Sequence, residues 1–430
     1  MGFLHEHFIL PLSDLIRGEQ VHKYLRLLRD AENWAPEQMT AFQQQRLRQL
    51  LRHASKEVPF YSDWFHDHHL NPDTATLDQL PIVSKSIMRQ EGIGRFTAKG
   101  FPAKQLIPSR SSGSTGEPFS FFVSKEAYSV NTAAKLRTWY MAGYRLSNRY
   151  MKIANGVRHG KLKKLQDRIN DCVYVPFYSM DDNTLKDILD KIEITHPSFI
   201  RSYPVPLYLL AQYRNKHGDS YHHKPLHVMT TGSTLPQAYR TEIEQAFGCD
   251  VIDSYSCEGT ADCYETTSHD GYNITQFYGI IEVLDNHNHP ITNGIGRVVS
   301  TDLWNLAHPF IRYDTQDLVE IKEGRIQRIM GRECESLIVS NGQRYTVHNF
   351  VGFFQEDNRP TKQSVIAYQV VKRKDGSITF CLVVNEQYTP DIEQYIIDFW
   401  QQQLGVSVNV ELVEEIPLMN NNKRLTIVEE

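Results

Sequence analysis

Residues 109–118 have the sequence SRSSGSTGEP, and the apolar run FSFFV follows at residues 119–123. The ten positions from 109 to 118 hold four serines, two glycines and one threonine. Glycine permits positive φ angles and close backbone approach, so that consecutive N–H groups and hydroxyls can surround a polyphosphate. The segment is not a P-loop, because Glu117 follows Gly116 where that motif requires lysine. By itself, a loop of this composition is also typical of an ordinary turn.

A second motif lies far downstream. Residues 309–317 have the sequence PFIRYDTQD, and Arg332 stands fifteen positions after Asp317. An acidic residue fixed in a turn can accept hydrogen bonds from both ribose hydroxyls, and an arginine nearby adds donors to the sugar or to a phosphate. Alone, the pair also fits a surface ion pair. Together with the upstream loop, it favours a nucleotide site.

The composition is that of an ordinary globular enzyme, with 40% hydrophobic and 23% charged residues in a chain of 430. A net charge of −5 provides no field that would attract nucleic acid, so we expect no such partner. The N-terminal segment has Glu6 and two histidines where a signal peptide has its apolar core. We expect a cytoplasmic protein without membrane insertion and with its six cysteines reduced.

The pattern of segments predicts an α/β protein with two unequal domains. The first hundred residues are mainly helical in pattern, and residues 152–303 alternate strand-like runs with amphipathic helices. After Arg332, short strands such as ITFCLVV enclose one helix near Asp391–Leu404. Residues 1–331 therefore form a large multi-sheet α/β domain, and residues 332–430 form a small α+β domain.

The order and spacing of these motifs resemble the adenylate-forming superfamily of acyl-CoA synthetases. Within it, they are most similar to phenylacetate-CoA ligases and to their relatives in capsular-polysaccharide gene clusters. The resemblance covers nearly the whole chain. Its motifs are VPFY at 58–61, LPIVSK at 80–85, the loop at 111–118, TGSTL at 231–235, DSYSCEG at 253–259, PFIRYDTQD at 309–317, GR at 331–332 and NKR at 422–424.

The resemblance implies sites for ATP and Mg²⁺. Tyr255 would stack on adenine, and the backbone near Gly232 and Asp253 would bind the edge of the base. Glu258 would hold Mg²⁺ through a hard carboxylate oxygen. The residues implied to bind the nucleotide are Ser111, Ser112, Gly113, Ser114, Thr115, Gly116, Gly232, Ser233, Asp253, Ser254, Tyr255, Ser256, Asp317 and Arg332.

Lys423 and Glu258 are the implied catalytic residues. The substrate carboxylate would attack the α-phosphorus of ATP and pyrophosphate would leave, so that catalysis is positioning and neutralisation of charge. Lys423 could bridge the carboxylate and the α-phosphate. Alone, it also fits a solvated lysine. The resemblance further implies a mobile C-terminal domain that rotates about a hinge near Glu335 to exchange Lys423 for the acceptor.

The acid pocket is expected between about Tyr128 and Tyr208, together with the segment around Gly232. Its polar and aromatic content favours a polar or aromatic acid over a fatty acid, although such spacings are also typical of core aromatics. The acceptor is either the thiol of coenzyme A or an amine, and an amide ligase joining a sugar acid to an amino acid is an alternative. A homodimer is compatible with the sequence. The candidate pocket residues are Trp139, Tyr140, Tyr144, Arg158, His159, Tyr178, Arg201 and Tyr203.

Four departures from the family pattern leave open a nucleotide-binding protein that has lost catalysis. Glu117 replaces a lysine, Ser233 replaces a glutamate, and Cys334 replaces an acidic residue beside the hinge. Tyr255 and Glu258 are separated by two residues where the family has three.

Two further sequence patterns could indicate a zinc site or a different enzyme class. Cys257, Cys263 and His269 could hold a structural zinc, but their irregular spacing favours buried thiols. A sugar-modifying transferase of unrelated fold would rest only on Asp181-Asp182, a pair typical of a solvated loop.

Overall fold

The computed structural model describes residues 2–110, 120–155, 161–177, 182–257, 259–266, 268–332, 336–338, 344–346, 349–350, 353–354, 359–416 and 426–430. None of the helices in these ranges is long and apolar enough to cross a bilayer. The α-helices are α1 (Gly2–Leu4), α2 (Leu10–Arg17), α3 (Val21–Ala31), α4 (Pro36–Glu57), α5 (Pro59–Asp67), α6 (Lys85–Glu91), α7 (Ile93–Phe96), α8 (Lys125–Met141), α9 (Lys161–Ile169), α10 (Asp182–Thr195), α11 (Pro204–Lys216), α12 (Gln237–Phe247), α13 (Thr361–Ser364) and α14 (Pro390–Leu404).

Shorter helical turns connect several of these elements. A π-helical turn covers His5–Ile9, and 3₁₀ turns cover Leu77–Gln79, Ala103–Gln105 and Gly218–Ser220. The strands are β1 (Leu106–Arg110), β2 (Ser120–Ser124), β3 (Tyr150–Asn155), β4 (Cys172–Phe177), β5 (Phe199–Ser202), β6 (His227–Thr231), β7 (Val251–Cys257), β8 (Ala261–Glu265), β9 (Tyr272–Ile274), β10 (Gly279–Leu284), β11 (Gly294–Asp302), β12 (Tyr313–Lys322), β13 (Arg325–Arg332), β14 (Ser336–Ile338), β15 (Arg344–Thr346), β16 (Val365–Lys372), β17 (Ile378–Val384), β18 (Val408–Leu412) and β19 (Ile427–Glu429).

A seven-stranded sheet with the order β4-β3-β5-β6-β7-β8-β9 forms the centre of the large α/β region. Strands β3 to β7 run parallel, and β8 and β9 are antiparallel to their neighbours. Helices α9 to α12 connect the successive parallel strands, as a crossover of parallel strands requires. The predicted alternation of strands and helices is therefore confirmed.

The two faces of this sheet carry different cores because successive side chains of a strand point to opposite sides. Phe199, Met229 and Ile252 pack with α3 and α8 on one face. Ile200 and Val228 pack with α10, α11 and α12 on the other. We call the first of these the α8 face.

A four-stranded antiparallel sheet, β10-β11-β12-β13, adjoins the first sheet. Its inner side packs against helices α4 and α5 in a core that includes Tyr255 of β7 and Ile311, just before β12. The pairing of β12 with β13 shifts register after Leu318. Such irregularities locally bend a strand and change the direction of its side chains.

A fourth core lies in the C-terminal part of the chain. Strands β16 to β19 form a mixed sheet with the order β18-β17-β16-β19, and α14 packs on it through Ile396 and Trp400. The predicted strand ITFCLVV coincides with β17, and the predicted helix coincides with α14 except that it begins at Pro390. Strand β13 ends at Arg332. The domain boundary near this residue remains a prediction.

Candidate functional site

The candidate site lies beyond the carboxyl ends of the parallel strands β5, β6 and β7. In this sheet, Thr230 pairs with Asp253 and Thr231 pairs with Ser254. Open parallel sheets bind their ligands at this edge. The topology therefore brings the two predicted adenine-lining segments to one place.

Asp253 is a buried carboxylate held from three sides. The Thr230 hydroxyl donates to Oδ1 at 2.5 Å, and the Tyr272 hydroxyl donates to Oδ2 at 2.6 Å. The backbone N–H of Asp253 donates to Glu265 Oε2 at 3.0 Å. Burial raises the pKa of Asp253 to about 6. Since both carboxylate oxygens already accept hydrogen bonds inside the protein, the side chain anchors β7, which leaves the backbone of this segment to meet a base.

Arg240 of α12 supports this arrangement from behind. Its Nη2 atom donates to both oxygens of Glu265, at 2.6 and 2.7 Å, and its Nη1 atom donates to the carbonyl of Val251 at 2.6 Å. Two-pronged contacts of this kind fix geometry as well as charge. The pair therefore joins α12 to β7 and β8, and this network was not anticipated from the sequence.

Gly232 follows β6 directly and is exposed, as is Ser233. Its φ angle is 78°, in the left-handed region that favours glycine. A β-carbon at this position would lie 2.9 Å from Cε1 of Tyr203. Glycine is therefore required here both by conformation and by space, and the exposed backbone of the turn is open to a ligand.

Asp317 lies at the junction of the two large sheets. The Tyr255 hydroxyl of β7 donates to Asp317 Oδ2 at 2.7 Å. Arg332 Nε lies 3.3 Å from Asp317 Oδ1, and the two residues are register partners of β12 and β13. A carboxylate oxygen accepts more than one hydrogen bond, so Asp317 retains acceptor capacity. The structure thus assembles three of the predicted site residues from distant parts of the sequence.

Just before Asp317, strand β12 makes a local turn where its pairing with β11 shifts register. Side chains of this turn fix its shape. The backbone N–H of Asp317 donates to the Thr315 hydroxyl at 3.0 Å, and this hydroxyl donates to the Val298 carbonyl at 2.8 Å. Gln316 has a φ angle of 60°, an uncommon left-handed conformation for a residue other than glycine. The strained turn aims the Asp317 carboxylate at Tyr255.

The LPIVSK segment supports the same turn from below. Val83 donates its N–H to the Arg312 carbonyl at 3.0 Å, and Asp314 donates its N–H to the Val83 carbonyl at 3.0 Å. The buried Arg312 side chain binds both oxygens of Glu282 at 3.0 and 3.1 Å, and it also binds the Leu80 carbonyl at 3.0 Å. The N-terminal motif therefore acts as scaffold for the Asp317 turn.

Several predicted site residues lie outside the described residues: Ser111, Ser112, Gly113, Ser114, Thr115, Gly116, Glu258 and Lys423. Their chain neighbours are described. The loop connects β1 to β2, which pair antiparallel with Arg110 opposite Ser120. Glu258 directly follows the last residue of β7, and β19, which comes after Lys423, pairs with β16.

Asn305 is a supporting residue that sequence reasoning missed. Its Oδ1 atom accepts the Ser124 N–H at 3.1 Å, and its Nδ2 atom donates to the carbonyls of Phe122 at 2.9 Å and His308 at 3.1 Å. It therefore fixes β2, which follows the Ser/Gly loop. The signal available in the sequence was a single amide inside the apolar stretch DLWNLAHPFI.

The described residues of the predicted acid pocket divide into two groups. Tyr144 is 1% exposed and packs edge-on against Phe199, and Tyr140 is buried with its hydroxyl on Glu6 at 3.2 Å. These two are core residues. Trp139, Arg201 and Tyr203 keep partial exposure, and Trp139 packs on the α8 face whereas Tyr203 packs with the core of the opposite face. Arg158, His159 and Tyr178 lie outside the part of the chain that the structure describes.

The zinc alternative finds no support in the described region. Cys263 is fully buried opposite Tyr255, and burial raises the pKa of its thiol. His269 Nδ1 lies 3.3 Å from Glu265 Oε1. Among the residues in the described ranges, no group of three metal-ligating side chains occurs.

The fold and the order of the motifs resemble those of adenylate-forming ligases, as the sequence motifs indicated. No protein-family model matches the chain. Protein CapK of Staphylococcus aureus is 22% identical over 411 residues, which cover 89% of this chain and 87% of CapK. The phenylacetate-coenzyme A ligase of Pseudomonas putida is 26% identical over 382 residues, which cover 82% of each protein.

A solved structure shares the fold. The crystal structure of 2-hydroxyisobutyryl-CoA ligase, in the postadenylation state with an acyl-AMP, matches with a TM-score of 0.72 at 17% identity. The match covers 92% of this chain and 90% of that one. These similarities confirm the predicted fold class and the predicted resemblance to the phenylacetate-CoA ligase and capsular branch.

Proposed function

We propose that this chain activates a carboxylic acid as its acyl-AMP, releases pyrophosphate and transfers the acyl group to the thiol of coenzyme A. The observation that carries this proposal is the meeting of Tyr255, Asp317 and Arg332 at the carboxyl edge of the parallel sheet. A carboxylate beside a guanidinium can bind ribose hydroxyls and a phosphate at once. The similarity to phenylacetate-coenzyme A ligases supports the acid and the thiol acceptor.

In this proposal, separate segments of the chain bind the separate parts of the nucleotide. Asp317 accepts hydrogen bonds from the ribose, Arg332 supplies donors next to it, and the exposed turn at Gly232 and Ser233 meets the adenine edge. Ser254 and Ser256 line the same edge. The loop at 111–116 surrounds the phosphates, where its hydroxyls and N–H groups serve as donors.

Mg²⁺ and Lys423 complete the site in this proposal. Glu258 follows β7 and offers the hard oxygen that Mg²⁺ prefers, and the bound ion would neutralise phosphate charge. Residues 332–430 form a mobile domain with a hinge near Glu335, and rotation brings Lys423 to the acid carboxylate and the α-phosphate. The separate core around Trp400 supports such a division.

The test is the exchange of labelled pyrophosphate into ATP, measured across aromatic acids, uronic acids and amino acids. Lys423→Ala is expected to lower acid-dependent exchange by about 10²- to 10³-fold with ATP binding retained, because a charge placed at the reacting centre is lost. Lys374→Ala, an exposed lysine of the same C-terminal region, is the matched control. Normal ATP binding without exchange for any acid would instead identify a nucleotide-binding protein that has lost catalysis.

An amide ligase is the second candidate, and the similarity to CapK over 89% of this chain favours it. Such an enzyme would use the same acyl-AMP and an amine acceptor, as in the joining of a sugar acid to an amino acid. AMP release is therefore measured with each active acid in the presence of coenzyme A or of a panel of amino acids. Stimulation by an amino acid and not by coenzyme A would select the amide ligase.

The proposal includes a cytoplasmic enzyme that forms a homodimer. A cytoplasmic location would give the enzyme access to ATP and coenzyme A. Light scattering on the purified chain measures the assembly, and a monomer at micromolar concentration would contradict the dimer. Cell fractionation with an antibody to the chain tests the location.

A further inference from the structure

Two cationic side chains face each other across the α8 face of the large sheet. Arg201 of β5 lies two positions after Phe199, so both side chains point to this face. The Arg201 guanidinium carbon lies 5.5 Å from the centre of the Trp139 ring. Lys135 stands one helical turn before Trp139 in α8, on the same side of that helix. The helix and the sheet therefore bring both cations to one place.

Neither cation is neutralised within the described part of the chain. No ion pair or hydrogen bond to a carboxylate forms there for Arg201 or Lys135. Asp262 of β8 attracts Lys135 only at longer range, and one of its oxygens already accepts the Thr275 hydroxyl at 2.8 Å. Two like charges enclosed together disfavour each other, and an anion between them would relieve this.

The surroundings of the pair lower the pKa of both groups. Burial, and then the charge of Arg201, lowers the pKa of Lys135 to about 8, while Asp262 opposes this shift. Burial also lowers the pKa of Arg201. Yet both side chains are partly solvent-accessible.

The two cations lie near the segments of the proposed nucleotide site. Tyr203 lies two positions after Arg201, just beyond the end of β5, and its ring contacts the turn at Gly232. Ser256 of β7 is the register partner of Asp262, so its side chain points to the α8 face two positions before Glu258. Tyr203 and Ser256 therefore connect the region of the two cations with the segments of the proposed nucleotide site.

We infer that Lys135 and Arg201 bind a second anionic group of the acid substrate, at the end remote from the carboxylate that is activated. The inference rests on the proposed function and assigns its substrate class: a carboxylic acid that carries a second carboxylate or another anion. Arginine suits this role because its planar fork binds a carboxylate with two hydrogen bonds. A neutral or fatty acid would leave the two cations enclosed with only the more distant Asp262 as a counter-charge.

The experiment compares acids that differ only in the second anion. The pairs are isophthalate with monomethyl isophthalate, glutarate with monomethyl glutarate, and galactarate with monomethyl galactarate, and phosphonoacetate separates a phosphate-like anion from a carboxylate. In pyrophosphate exchange, the wild type is expected to prefer the dianionic member of at least one pair by about 10- to 100-fold. No preference in any pair would overturn the inference.

Arg201→Met and Lys135→Met should abolish this preference by lowering kcat/KM for the dianionic acid about 10- to 100-fold while sparing the monoester. Arg149→Met and Lys186→Met, exposed cations paired with Asp171 and Asp190, are matched controls that should retain it. Equal loss for both members of a pair would identify a merely structural role and refute the inference.

A second readout does not depend on catalysis. Calorimetric titration with the preferred diacid at pH 8, in buffers of different ionisation enthalpy, should show uptake of about half a proton per site, because Lys135 is half protonated there and the anion completes its charge. Lys135→Met should bind the diacid without this proton uptake.

If no acid supports exchange, the proposed function fails, and this titration alone decides whether the anion subsite exists. Absence of diacid binding would then refute the subsite. The charged and titratable groups near the pair are Asp262, Tyr150, Tyr203 and Cys172, together with Lys152, the register partner of Arg201 on β3.

Discussion

Gly232→Ala tests the geometry of the adenine-lining turn. The residue has a φ angle of 78°, and an added β-carbon would lie 2.9 Å from Cε1 and 3.1 Å from Cδ1 of Tyr203. Carbon atoms in contact prefer a separation of about 3.5 to 4.0 Å. The Tyr203 ring would therefore have to move by roughly half an ångström or more, or the turn would have to shift by the same amount.

The cost has two parts. Holding alanine in the left-handed region costs about 1–2 kcal/mol, and forcing an extra methyl group into packed surroundings costs about 1–3 kcal/mol. We expect Gly232→Ala to lower the free energy of unfolding by about 2–5 kcal/mol, as measured by urea denaturation. The KM for ATP should rise about tenfold or more, since a small displacement of binding groups strongly affects positioning.

Two glycines serve as matched controls because each would meet nothing within 4 Å. Gly100 has a φ angle of 75°, so Gly100→Ala should show only the backbone cost of about 1–2 kcal/mol. Gly94 lacks the left-handed conformation, and Gly94→Ala should be close to neutral. The difference between Gly232→Ala and Gly100→Ala isolates the contact with Tyr203.

Tyr203→Ala, combined with Gly232→Ala, tests the contact between the turn and this ring directly. In the double variant with Gly232→Ala the ring is gone, so the steric part, about 1–3 kcal/mol, should be recovered as a coupling energy between the two sites. Gly232→Ala and Gly100→Ala of equal cost, with no coupling to Tyr203→Ala, would refute the account of a turn that presses on this ring.

Two further predictions concern carboxylates of the site. Asp317→Asn should lower kcat/KM for ATP by about 10- to 100-fold in pyrophosphate exchange, because the charge facing Arg332 is lost, and an unchanged value would remove Asp317 from nucleotide binding. Asp253 has a folded-state pKa of about 6, above its ordinary 3.8, so its ionisation costs stability above pH 6 and this cost disappears as pH falls toward 4. Urea unfolding at pH 7 and pH 4.5 should show that Asp253→Asn gains less from acidification than the wild type, by roughly 2 kcal/mol, and parallel pH profiles would contradict the buried charge.

The elements that the sequence predicted best are those whose pattern is local. Strand β17 and helix α14 were predicted almost residue by residue, because an apolar run and a helical repeat each depend on a few neighbouring positions. The partnership of Asp317 with Arg332 was also foreseen, from the order of the motifs. Its geometry, a register pair across β12 and β13, could not be read from the sequence.

The residues that escaped prediction depend on which face of an element is buried. Tyr140 and Tyr144 were expected in a pocket, but they lie on the core side of the α8 region. The network of Asp253 with Tyr272 and of Glu265 with Arg240 joins a helix to three strands, and its members are scattered along the sequence. Such contacts follow from strand order and register, which local patterns do not specify.

The alternation of side chains along β7 explains how one strand serves two sites. Tyr255 points to the side shared with the second sheet and meets Asp317, whereas Ser256 points to the α8 face beside Asp262. Substitutions on the α8 face, such as Arg201→Met, should therefore change the preferred acid without changing the KM for ATP. Asp253 fixes the strand itself, so its loss should disturb both. A fold that separates specificity from activation in this way can acquire a new acid while its nucleotide site stays intact.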